Sequence, residues 1–426
     1  MPATRKVIPI APDTRSPARP GEAAQAVPQL SASPPLALYV HYPWCVRKCP
    51  YCDFNSHTVR DATPAHTDVP ADLEHAYIDA LIADLEHALP QVWGRRVHSV
   101  FIGGGTPSLM RAASLDRLLQ AVRSLLMLDP MAEITLEANP GTFEHARFAD
   151  YRAAGINRLS IGIQSFSDAH LHAIGRIHDG AQARRAVDIA LRHFERVNLD
   201  LMYALPGQDI AQALSDVDTA LALGVGHLSC YHLTLEPNTP FHHAPPALPD
   251  DDSAADMQEA IEARLAAAGF EHYETSAFAR PEQHCRHNLN YWTFGDYLGI
   301  GAGAHGKLSS HAGIVREMRH KHPMRYLEAA ARHDFVQERR EVRAHELPFE
   351  FMMNALRLTG GVTFDLFSAR TGLPLDCVEA RVRSARQQGL LELIESDTPA
   401  GRRTLLRPSP KGQRYLNDLL GLFLDD

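Results

Sequence analysis

Six strand–helix units in a row occupy the chain from Leu36 to about Leu235, and they limit the fold more than any other feature. In each unit a short apolar run is followed by a segment whose apolar side chains recur every three or four residues, which is helix periodicity. This alternation predicts an α/β fold with a parallel sheet and right-handed crossovers. A closed barrel of this kind has eight units, so six predict an open, partial (β/α)6 barrel. The predicted strands are Leu36–Tyr42, Val97–Ile102, Ile134–Glu137, Leu159–Ile163, Val197–Met202 and His227–Leu233, and the predicted helices include Leu73–Leu89, Leu115–Leu128, Ala181–Phe194 and Ile210–Leu223.

The pattern changes on both sides of this barrel, which we assign to residues 36–244. Residues 1–35 are rich in Ala and Pro and are predicted to be a disordered extension. Residues 245–343 form a small α+β region with a predicted helix, Ala254–Ala268, a predicted strand, His272–Phe278, and a Gly-rich segment, Leu298–Gly306.

The pattern of residues 344–426 predicts three helices, two short strands and a last helix, an order that resembles a winged helix. Winged helices often bind DNA, but an interaction or structural role is an equal alternative here. The third of these helices carries three arginines, Arg381, Arg383 and Arg386, and little else that is basic, so no nucleic-acid partner is expected.

Composition points to an ordinary globular protein of a reducing compartment. The net charge of −9 gives no general attraction to nucleic acid or anionic lipid. No apolar run approaches the ~20 residues that span a bilayer, and the first 35 residues lack the apolar core of a secretory signal. Six cysteines, three of them within eight residues, do not form a disulfide scaffold. We therefore expect a cytoplasmic protein with one metal site.

The first predicted strand runs directly into the three clustered cysteines, Cys45, Cys49 and Cys52, whose spacing is C-x3-C-x2-C. Three thiolates on one tight loop can each bind a different iron of a [4Fe–4S] cube and leave the fourth iron open to a small molecule. A zinc site is an alternative, with His41 or His57 as fourth ligand. A disulfide would leave one cysteine unpaired.

Polar residues or glycines follow every predicted strand. They lie at the carboxyl-terminal edge of the sheet, where the active sites of β/α barrels are found. The second strand is followed by Gly103–Pro107, a bare backbone that can approach a ligand closely. Glu137 and Asp200 are carboxylates within apolar strands, where they need partners. Structural ion pairs are the alternative account for both.

The cysteine loop resembles the signature of the radical S-adenosylmethionine (SAM) superfamily. Three segments, Tyr39–Cys45, Gly103–Pro107 and Asp200–Gly207, together resemble its oxygen-independent coproporphyrinogen III oxidase-like branch, over nearly the whole chain after residue 35. The resemblance implies a radical SAM barrel and SAM as a second cofactor. It assigns to SAM the positions Tyr39, Tyr51, Gly104, Gly105, Thr106, Glu137, Gln164, Arg176 and Asp200.

One position departs from the oxidases of that branch, which carry a further cysteine two residues after the third ligand. Here Phe54 stands at that position, as in the HemW group, whose members are regarded as heme chaperones. A segment of the form H-N-x-x-Y-W, also found in HemW-like proteins and linked with heme, consists here of His287, Asn288, Leu289, Asn290, Tyr291 and Trp292.

The resemblance therefore implies that His287, Asn288, Tyr291 and Trp292 bind heme. An imidazole can be an axial ligand of heme iron, and aromatic rings can pack on the macrocycle. A packed structural histidine is the alternative, and Cys285 would be a thiolate alternative as ligand. The Gly301–Gly306 segment satisfies G-x-G-x-x-G, but a loop is predicted after it at Lys307–Gly313, so we interpret it as a close-packed glycine segment and not as a dinucleotide site.

Two functions follow from the resemblance. The first is a heme chaperone that binds a [4Fe–4S] cluster, SAM and heme, and delivers heme to an acceptor hemoprotein such as a membrane-associated respiratory protein. The second is a radical SAM enzyme that acts on a porphyrinogen, such as coproporphyrinogen III, or transfers a methyl group. Phe54 argues against the first of these reactions and leaves other substrates open. The oligomeric state cannot be predicted from the sequence.

Overall fold

A computed structural model describes residues 29–59, 69–398 and 401–424 of the chain. Most of the predicted N-terminal extension, residues 1–28, lies outside the described residues. Within them, no helix has the length and the apolar composition that crossing a membrane requires.

Six parallel strands form the centre of the fold, in the order β1, β4, β5, β6, β7, β8. Consecutive strands lie side by side because a helix connects each to the next. The strands of residues 36–232 are β1 (Leu36–Tyr42), β2 (Trp44–Cys45), β3 (His57–Thr58), β4 (Arg96–Gly104), β5 (Met127–Ala138), β6 (Arg158–Gln164), β7 (Arg196–Tyr203) and β8 (His227–His232). The helices between them are α1 (Ala71–Val92), α2 (Ala112–Leu125), α3 (Thr142–Ala154), α4 (Asp168–Ala173), α5 (Gly180–His193) and α6 (Ile210–Leu223).

The alternation of side chains along each strand determines which residues meet inside the barrel. On β1, Leu38 and Val40 point to the helices and are fully buried in the main apolar core, whereas Tyr39 and His41 point inward. Sequence also determines where two of the helices begin: Asp179 and Asp209 each form a capping box with a glutamine three residues later.

Residues 240–342 widen the same sheet at both edges. Strand β11 pairs with β1 in parallel and continues into the antiparallel β12, β13 and β14, while β10 and β9 continue from β8, giving twelve strands. The boundaries drawn at residues 244 and 343 stay predictions, and the sheet crosses the first of them. The elements of this part are α7 (Pro240–His243), α8 (Asp251–Ala267), β9 (Glu271–Glu274), β10 (Ala277–Ala279), α9 (Arg286–Trp292), β11 (Asp296–Ile300), β12 (His305–Ser310), β13 (Gly313–Arg319), α10 (Pro323–Ala330) and β14 (Val336–Val342).

Three local predictions are wrong. The segment Lys307–Gly313, predicted as a loop, lies mostly in β12, because Lys307 and Ser309 are polar side chains that point into a buried ion-pair network. Helix α2 ends at Leu125, and the last residues assigned to it already belong to β5. The single strand His272–Phe278 is two strands, β9 and β10, paired antiparallel.

The C-terminal residues build a second apolar core around three helices and a three-stranded sheet, in the order β15, β17, β16. This is the predicted winged-helix-like arrangement, and the α/β partial-barrel fold class is confirmed. The elements are α11 (Leu347–Ala355), β15 (Val362–Thr363), α12 (Asp365–Thr371), α13 (Asp376–Gln387), β16 (Leu391–Thr398), β17 (Gly401–Pro408), α14 (Pro410–Arg414) and α15 (Leu416–Gly421).

A buried carboxylate joins β11, β12 and the barrel. Asp296 is fully buried and accepts hydrogen bonds from Lys307 Nζ at 2.9 Å, Ser309 Oγ at 2.7 Å and Arg95 Nη2 at 2.8 Å. Replacing one partner of a buried ion pair leaves the other charge uncompensated, which destabilises proteins by about 3–5 kcal/mol. We predict a loss of about that size in the free energy of unfolding for Asp296→Ala, measured by urea denaturation.

The matched control is Asp218→Ala, which removes the partner of Arg264 in an ion pair that is about half exposed on both sides. Exposed pairs contribute about 0–1 kcal/mol, so this variant is expected to unfold close to the wild type. Equal losses in the two variants would contradict the role given to Asp296.

Candidate cofactor site at the carboxyl ends of the strands

The cysteine loop is closed by a short pair of strands. Trp44 and Cys45 of β2 pair in parallel with His57 and Thr58 of β3, so residues 46–56 are held as one loop directly above β1. Inside the loop the Cys52 backbone N–H donates to the Cys49 carbonyl. The three predicted cysteines therefore line one cavity of about 710 Å³ that is open to solvent, which we call the thiol cavity.

Each of the three sulfur atoms has a polar neighbour. Thr106 Oγ1 donates to Cys45 Sγ at 3.4 Å, Arg176 Nη1 donates to Cys49 Sγ at 3.6 Å, and Ser56 Oγ lies 3.7 Å from Cys52 Sγ. Burial raises the pKa of Cys45 to about 11 and also raises that of Cys52. Because a thiol loses its proton when it binds a metal, these three thiols fit a positively charged metal centre that would offset the burial.

The two histidines considered as a fourth zinc ligand are both engaged elsewhere. His41 is hydrogen-bonded through Nδ1 to Tyr39 at 3.0 Å and through Nε2 to the Asn55 carbonyl at 2.9 Å. His57 Nε2 lies 3.3 Å from Asn55 Oδ1. Among residues 29–59, 69–398 and 401–424, no three or more His, Cys, Asp or Glu side chains are arranged to hold a single metal ion. An iron–sulfur cube does not need such convergence, because each cysteine binds its own iron.

Two partly buried carboxylates, Glu137 and Asp200, face the same cavity from β5 and β7. Glu137 Oε2 accepts the Gly104 backbone N–H at 3.0 Å, and Asp200 accepts hydrogen bonds from Asn198 at 2.9 Å and Ser160 at 3.2 Å. Burial, together with the charge of Asp200, raises the pKa of Glu137 to about 8, and burial raises the pKa of Asp200. Neither forms an ion pair within the described part of the chain. The cavity is therefore suited to a ligand that carries a positive charge and hydroxyl donors.

Arg176 connects the cysteine loop to the strand ends. Besides Cys49, its guanidinium donates to Asn139 Oδ1 at 2.6 Å and to the Gly162 carbonyl at 2.7 Å. It is buried, and neighbouring Tyr51 and Cys49 raise its pKa, so it stays charged. A fixed cation at this place can bind the carboxylate of a ligand.

The glycines after β4 allow two loops to touch. A Cβ atom on Gly105 would lie 2.6 Å from the Trp44 carbonyl oxygen, and one on Gly104, whose φ is +117°, would lie 2.6 Å from the His41 ring. Only glycine permits this approach, which brings the Gly104 and Gly105 backbone to the thiol cavity.

The structure brings most of the predicted cofactor residues together. Beside the three cysteines, the thiol cavity is lined by Tyr51, Gly104, Gly105, Thr106, Glu137, Gln164, Arg176 and Asp200. Tyr39 lies beneath it on the inner face of β1 and bonds to His41. Sequence reasoning missed Asn139, Ser160 and Asn198, which orient Arg176 and Asp200. The signal was present, because Ser160 and Asn198 lie two residues from Gly162 and Asp200 on the inward faces of β6 and β7.

The predicted heme-linked segment lies elsewhere, on α9. His287 is 1% exposed, its Nδ1 lies 2.9 Å from Ser99 Oγ, and its Nε2 lies 3.0 Å from the Tyr291 hydroxyl. Burial lowers its pKa to about 3, and its ring stacks on Phe101 with centroids 5.0 Å apart. Both ring nitrogens are thus engaged inside the barrel.

The other members of this segment face different surroundings. Asn288 is half-buried, and Trp292 packs under the guanidinium of Arg357, 4.3 Å from the ring centre, at the C-terminal core. Binding of heme by His287, Asn288, Tyr291 and Trp292 stays a prediction, and for His287 it would require the loss of one of its two buried hydrogen bonds.

Comparisons with known proteins agree with this geometry. Residues 39–220 match the radical SAM superfamily, and residues 342–403 match the HemN C-terminal domain. The heme chaperone HemW of Escherichia coli (strain K12) is 46% identical over 92% of this chain and 98% of its own length, and that of Haemophilus influenzae is 44% identical over 92% and 99%. The solved structure of coproporphyrinogen III oxidase from Escherichia coli, a radical SAM enzyme, superposes with a TM-score of 0.73 over 94% of this chain and 92% of that one, at 21% identity, and so shows the shared fold.

The raised pKa of Glu137 has a measurable effect on stability. Between its ordinary pKa of 4.5 and its folded pKa of about 8, the folded chain holds a proton that the unfolded chain has lost. Stability contributed by this group therefore falls as pH rises through that window. We predict that Glu137→Gln unfolds with nearly the wild-type free energy at about pH 4.5, and is more stable than wild type by about 2 kcal/mol at about pH 8.5.

Urea denaturation of the cofactor-free proteins at the two pH values measures this difference. The control is Glu262→Gln, which changes a partly exposed carboxylate of α8 that accepts a hydrogen bond from Gln258, and it is expected to give a much smaller pH-dependent difference. A constant difference between Glu137→Gln and wild type at both pH values would contradict the assignment.

Proposed function

The chain belongs to the HemW family of heme chaperones within the radical SAM superfamily, and on that premise we propose how its residues serve that function. It binds a [4Fe–4S] cluster, SAM and heme, and it hands heme to hemoproteins. Cys45, Cys49 and Cys52 hold the cluster, and the thiol cavity holds SAM.

One observation carries this proposal: three thiols and two carboxylates without ion-pair partners in the described structure line the same cavity. The cluster supplies an open iron to which the amino and carboxylate groups of SAM can bind. SAM brings the positive charge of its sulfonium into a place where Glu137 and Asp200 have no ion-pair partner among the described residues. Their raised pKa values are what such a preformed cation site is expected to have when empty of ligand.

Individual residues receive distinct roles from their geometry. The Arg176 guanidinium, held by Asn139 and the Gly162 carbonyl, binds the carboxylate of SAM. Glu137, held by the Gly104 N–H, accepts a hydrogen bond from its amino group, and Asp200, oriented by Asn198 and Ser160, accepts hydrogen bonds from the ribose hydroxyls. Thr106 and Gly105 form the wall next to Cys45, and Gln164 and Tyr51 complete the lining.

We also propose a cellular compartment for the protein and an acceptor for its heme. Free cysteines throughout the described chain suit a reducing compartment, and we place the protein in the cytoplasm. A hemoprotein of the respiratory chain, at the membrane, is the acceptor that we propose. Heme is poorly soluble and reactive when free, so a carrier has a physical purpose.

Radical chemistry on a substrate is the second candidate function, because the cavity is lined by every predicted SAM residue except Tyr39. Phe54 decides against a coproporphyrinogen reaction within this candidate. It lines the thiol cavity and is 61% exposed, at the position where the oxidases carry a further cysteine. A phenyl ring offers neither a proton nor a thiolate at that place.

One anaerobic experiment separates the two functions. The reconstituted protein is loaded with heme and mixed with an apo-hemoprotein, and in parallel with dithionite, SAM and coproporphyrinogen III. We predict that heme absorbance moves to the acceptor and that mass spectrometry finds no protoporphyrinogen IX, because Phe54 replaces the extra cysteine.

Two controls test for passive heme release and for the role of position 54. Heme bound to serum albumin gives the rate of passive release, which the chaperone must exceed. A Phe54→Cys variant reports whether that one position is sufficient to restore turnover. Conversion of coproporphyrinogen by the wild type, or transfer no faster than from albumin, would refute the chaperone function.

A further inference from the structure

The heme-linked helix α9 packs on the barrel with its histidine turned inward. His287 and Tyr291 lie four positions apart on this helix and therefore share one face. That face points into the barrel, because His287 is 1% exposed and lies against side chains of β4. In this arrangement the imidazole is shielded from solvent.

Three contacts occupy the imidazole of His287. Ser99 Oγ lies 2.9 Å from Nδ1, and the Tyr291 hydroxyl lies 3.0 Å from Nε2. The ring stacks on Phe101 with centroids 5.0 Å apart and the two planes inclined by 29°. Burial lowers the pKa of His287 to about 3, so the ring is neutral and has one N–H to donate and one lone pair to accept. Both are used in hydrogen bonds, so neither nitrogen is free to bind iron.

A carboxylate of β5 holds the beginning of the same helix. Glu133 Oε1 accepts the His287 backbone N–H at 3.2 Å and the Cys285 thiol at 3.6 Å. An N–H in the first turn of a helix has no partner within the helix, and α9 has no side-chain cap of its own. Glu133 is fixed in turn by Arg196 of β7 at 3.0 Å. The start of α9 is therefore attached to the inner face of the sheet as well as to β4.

The surface on which His287 rests is itself held from the other side. The Phe101 ring stacks on Tyr39 with centroids 6.4 Å apart, and the Tyr39 hydroxyl lies 3.0 Å from His41 Nδ1. These contacts leave one position for the Phe101 ring. The closed position of α9 is thus a specific arrangement of buried contacts.

Heme binding by this segment competes with that arrangement. A histidine that binds heme iron must turn the lone pair of one nitrogen toward the macrocycle. His287 can do so only when it gives up a hydrogen bond inside the barrel. When a binding-competent state is only partly populated, the apparent affinity falls in proportion to that population.

We propose that the contacts of His287 with Ser99, Phe101 and Tyr291 form a latch that keeps α9 closed, and that heme binds only to the open state, in which His287 has left the barrel. The inference rests on the proposed chaperone function and adds a control over heme binding at α9. Heme and the barrel compete for one imidazole. Closure of the latch therefore favours release of heme, which a carrier that hands heme on requires.

Opening of α9 can be measured without heme. Cys285 directly precedes the helix and is fully buried, so a maleimide reaches its thiol only when α9 opens. Cys230 of β8 is 6% exposed and reports opening of the rest of the barrel. We expect Ser99→Ala, which removes one hydrogen bond of the closed state, to label about fivefold faster at Cys285 and at the wild-type rate at Cys230. Peptide mass spectrometry of the full-length, cluster-loaded protein locates the label.

A heme titration of the same proteins, followed by absorbance in the Soret region, gives the second readout. Ser99→Ala is expected to lower the apparent dissociation constant about fivefold, because the open state is more populated. Loss of a merely structural contact would not tighten binding. His287→Ala is expected to label faster at Cys285 but to bind heme more weakly, since it removes the ligand together with the latch.

The matched control is Ser165→Ala, the same change at a buried serine that donates to Asp216 of α6. It is expected to lower stability and to keep the wild-type heme affinity and Cys285 labelling rate. Phe101→Leu removes the stacked ring and is expected to act in the same direction as Ser99→Ala, which keeps the proposal testable if that variant does not fold. Iron and sulfide content confirms that each variant keeps its cluster.

The outcomes separate the latch from the chaperone function. A wild type that binds no heme refutes the chaperone function itself. A wild type that binds heme, with unchanged or weaker heme binding in both Ser99→Ala and Phe101→Leu, overturns the latch. Tighter heme binding without faster labelling of Cys285 would also overturn it, because α9 would then not have opened.

Discussion

The Arg176 guanidinium is the contact on which the arrangement of the site depends. It joins the cysteine loop, through Cys49, to the ends of β5 and β6, through Asn139 and the Gly162 carbonyl. Two further contacts fix the same loop: the Asn55 amide donates to the carbonyls of Ala302 and Lys321, and the Pro50 carbonyl accepts from the Phe241 backbone N–H. Arg176 differs from these in that it also lines the thiol cavity, so it fixes the position of a ligand there relative to Cys49.

The site is built at the expense of stability. Two partly buried carboxylates have no ion pair in the described structure, and the Cys45 thiol has a pKa well above its ordinary value. Each of these features disfavours the empty folded state and favours a state with a cationic ligand or metal bound. The rest of the chain offsets this with fully paired buried charges, such as Asp296 with Lys307 and Arg319 with Asp84. Two carboxylates without an ion pair in the described structure thus lie where a cationic ligand is expected, which is typical of functional sites.

The amino-acid sequence alone was sufficient to predict the barrel and most residues of the cofactor site. The six apolar runs predicted all six parallel strands, because strands buried on both faces leave a continuous apolar signal. The strand ends then identified Glu137, Gln164 and Asp200 without coordinates, since all parallel strands end at one edge of the sheet.

Polar residues that point to buried partners could not be assigned to a strand from their sequence pattern. Lys307 and Ser309 looked like a loop because their partner, Asp296, is eleven and thirteen residues away along the chain.

Three cysteines hold a cluster whose open iron faces a preformed SAM cavity in the arrangement that we propose. Electron paramagnetic resonance of the anaerobically reconstituted, dithionite-reduced protein, before and after addition of SAM, tests this arrangement. We predict a [4Fe–4S] signal whose g values change when SAM binds, and no such change in Asp200→Asn, which keeps all three cysteines. A wild type that takes up only zinc, or a cluster signal that SAM leaves unaltered at saturating concentration, would contradict it.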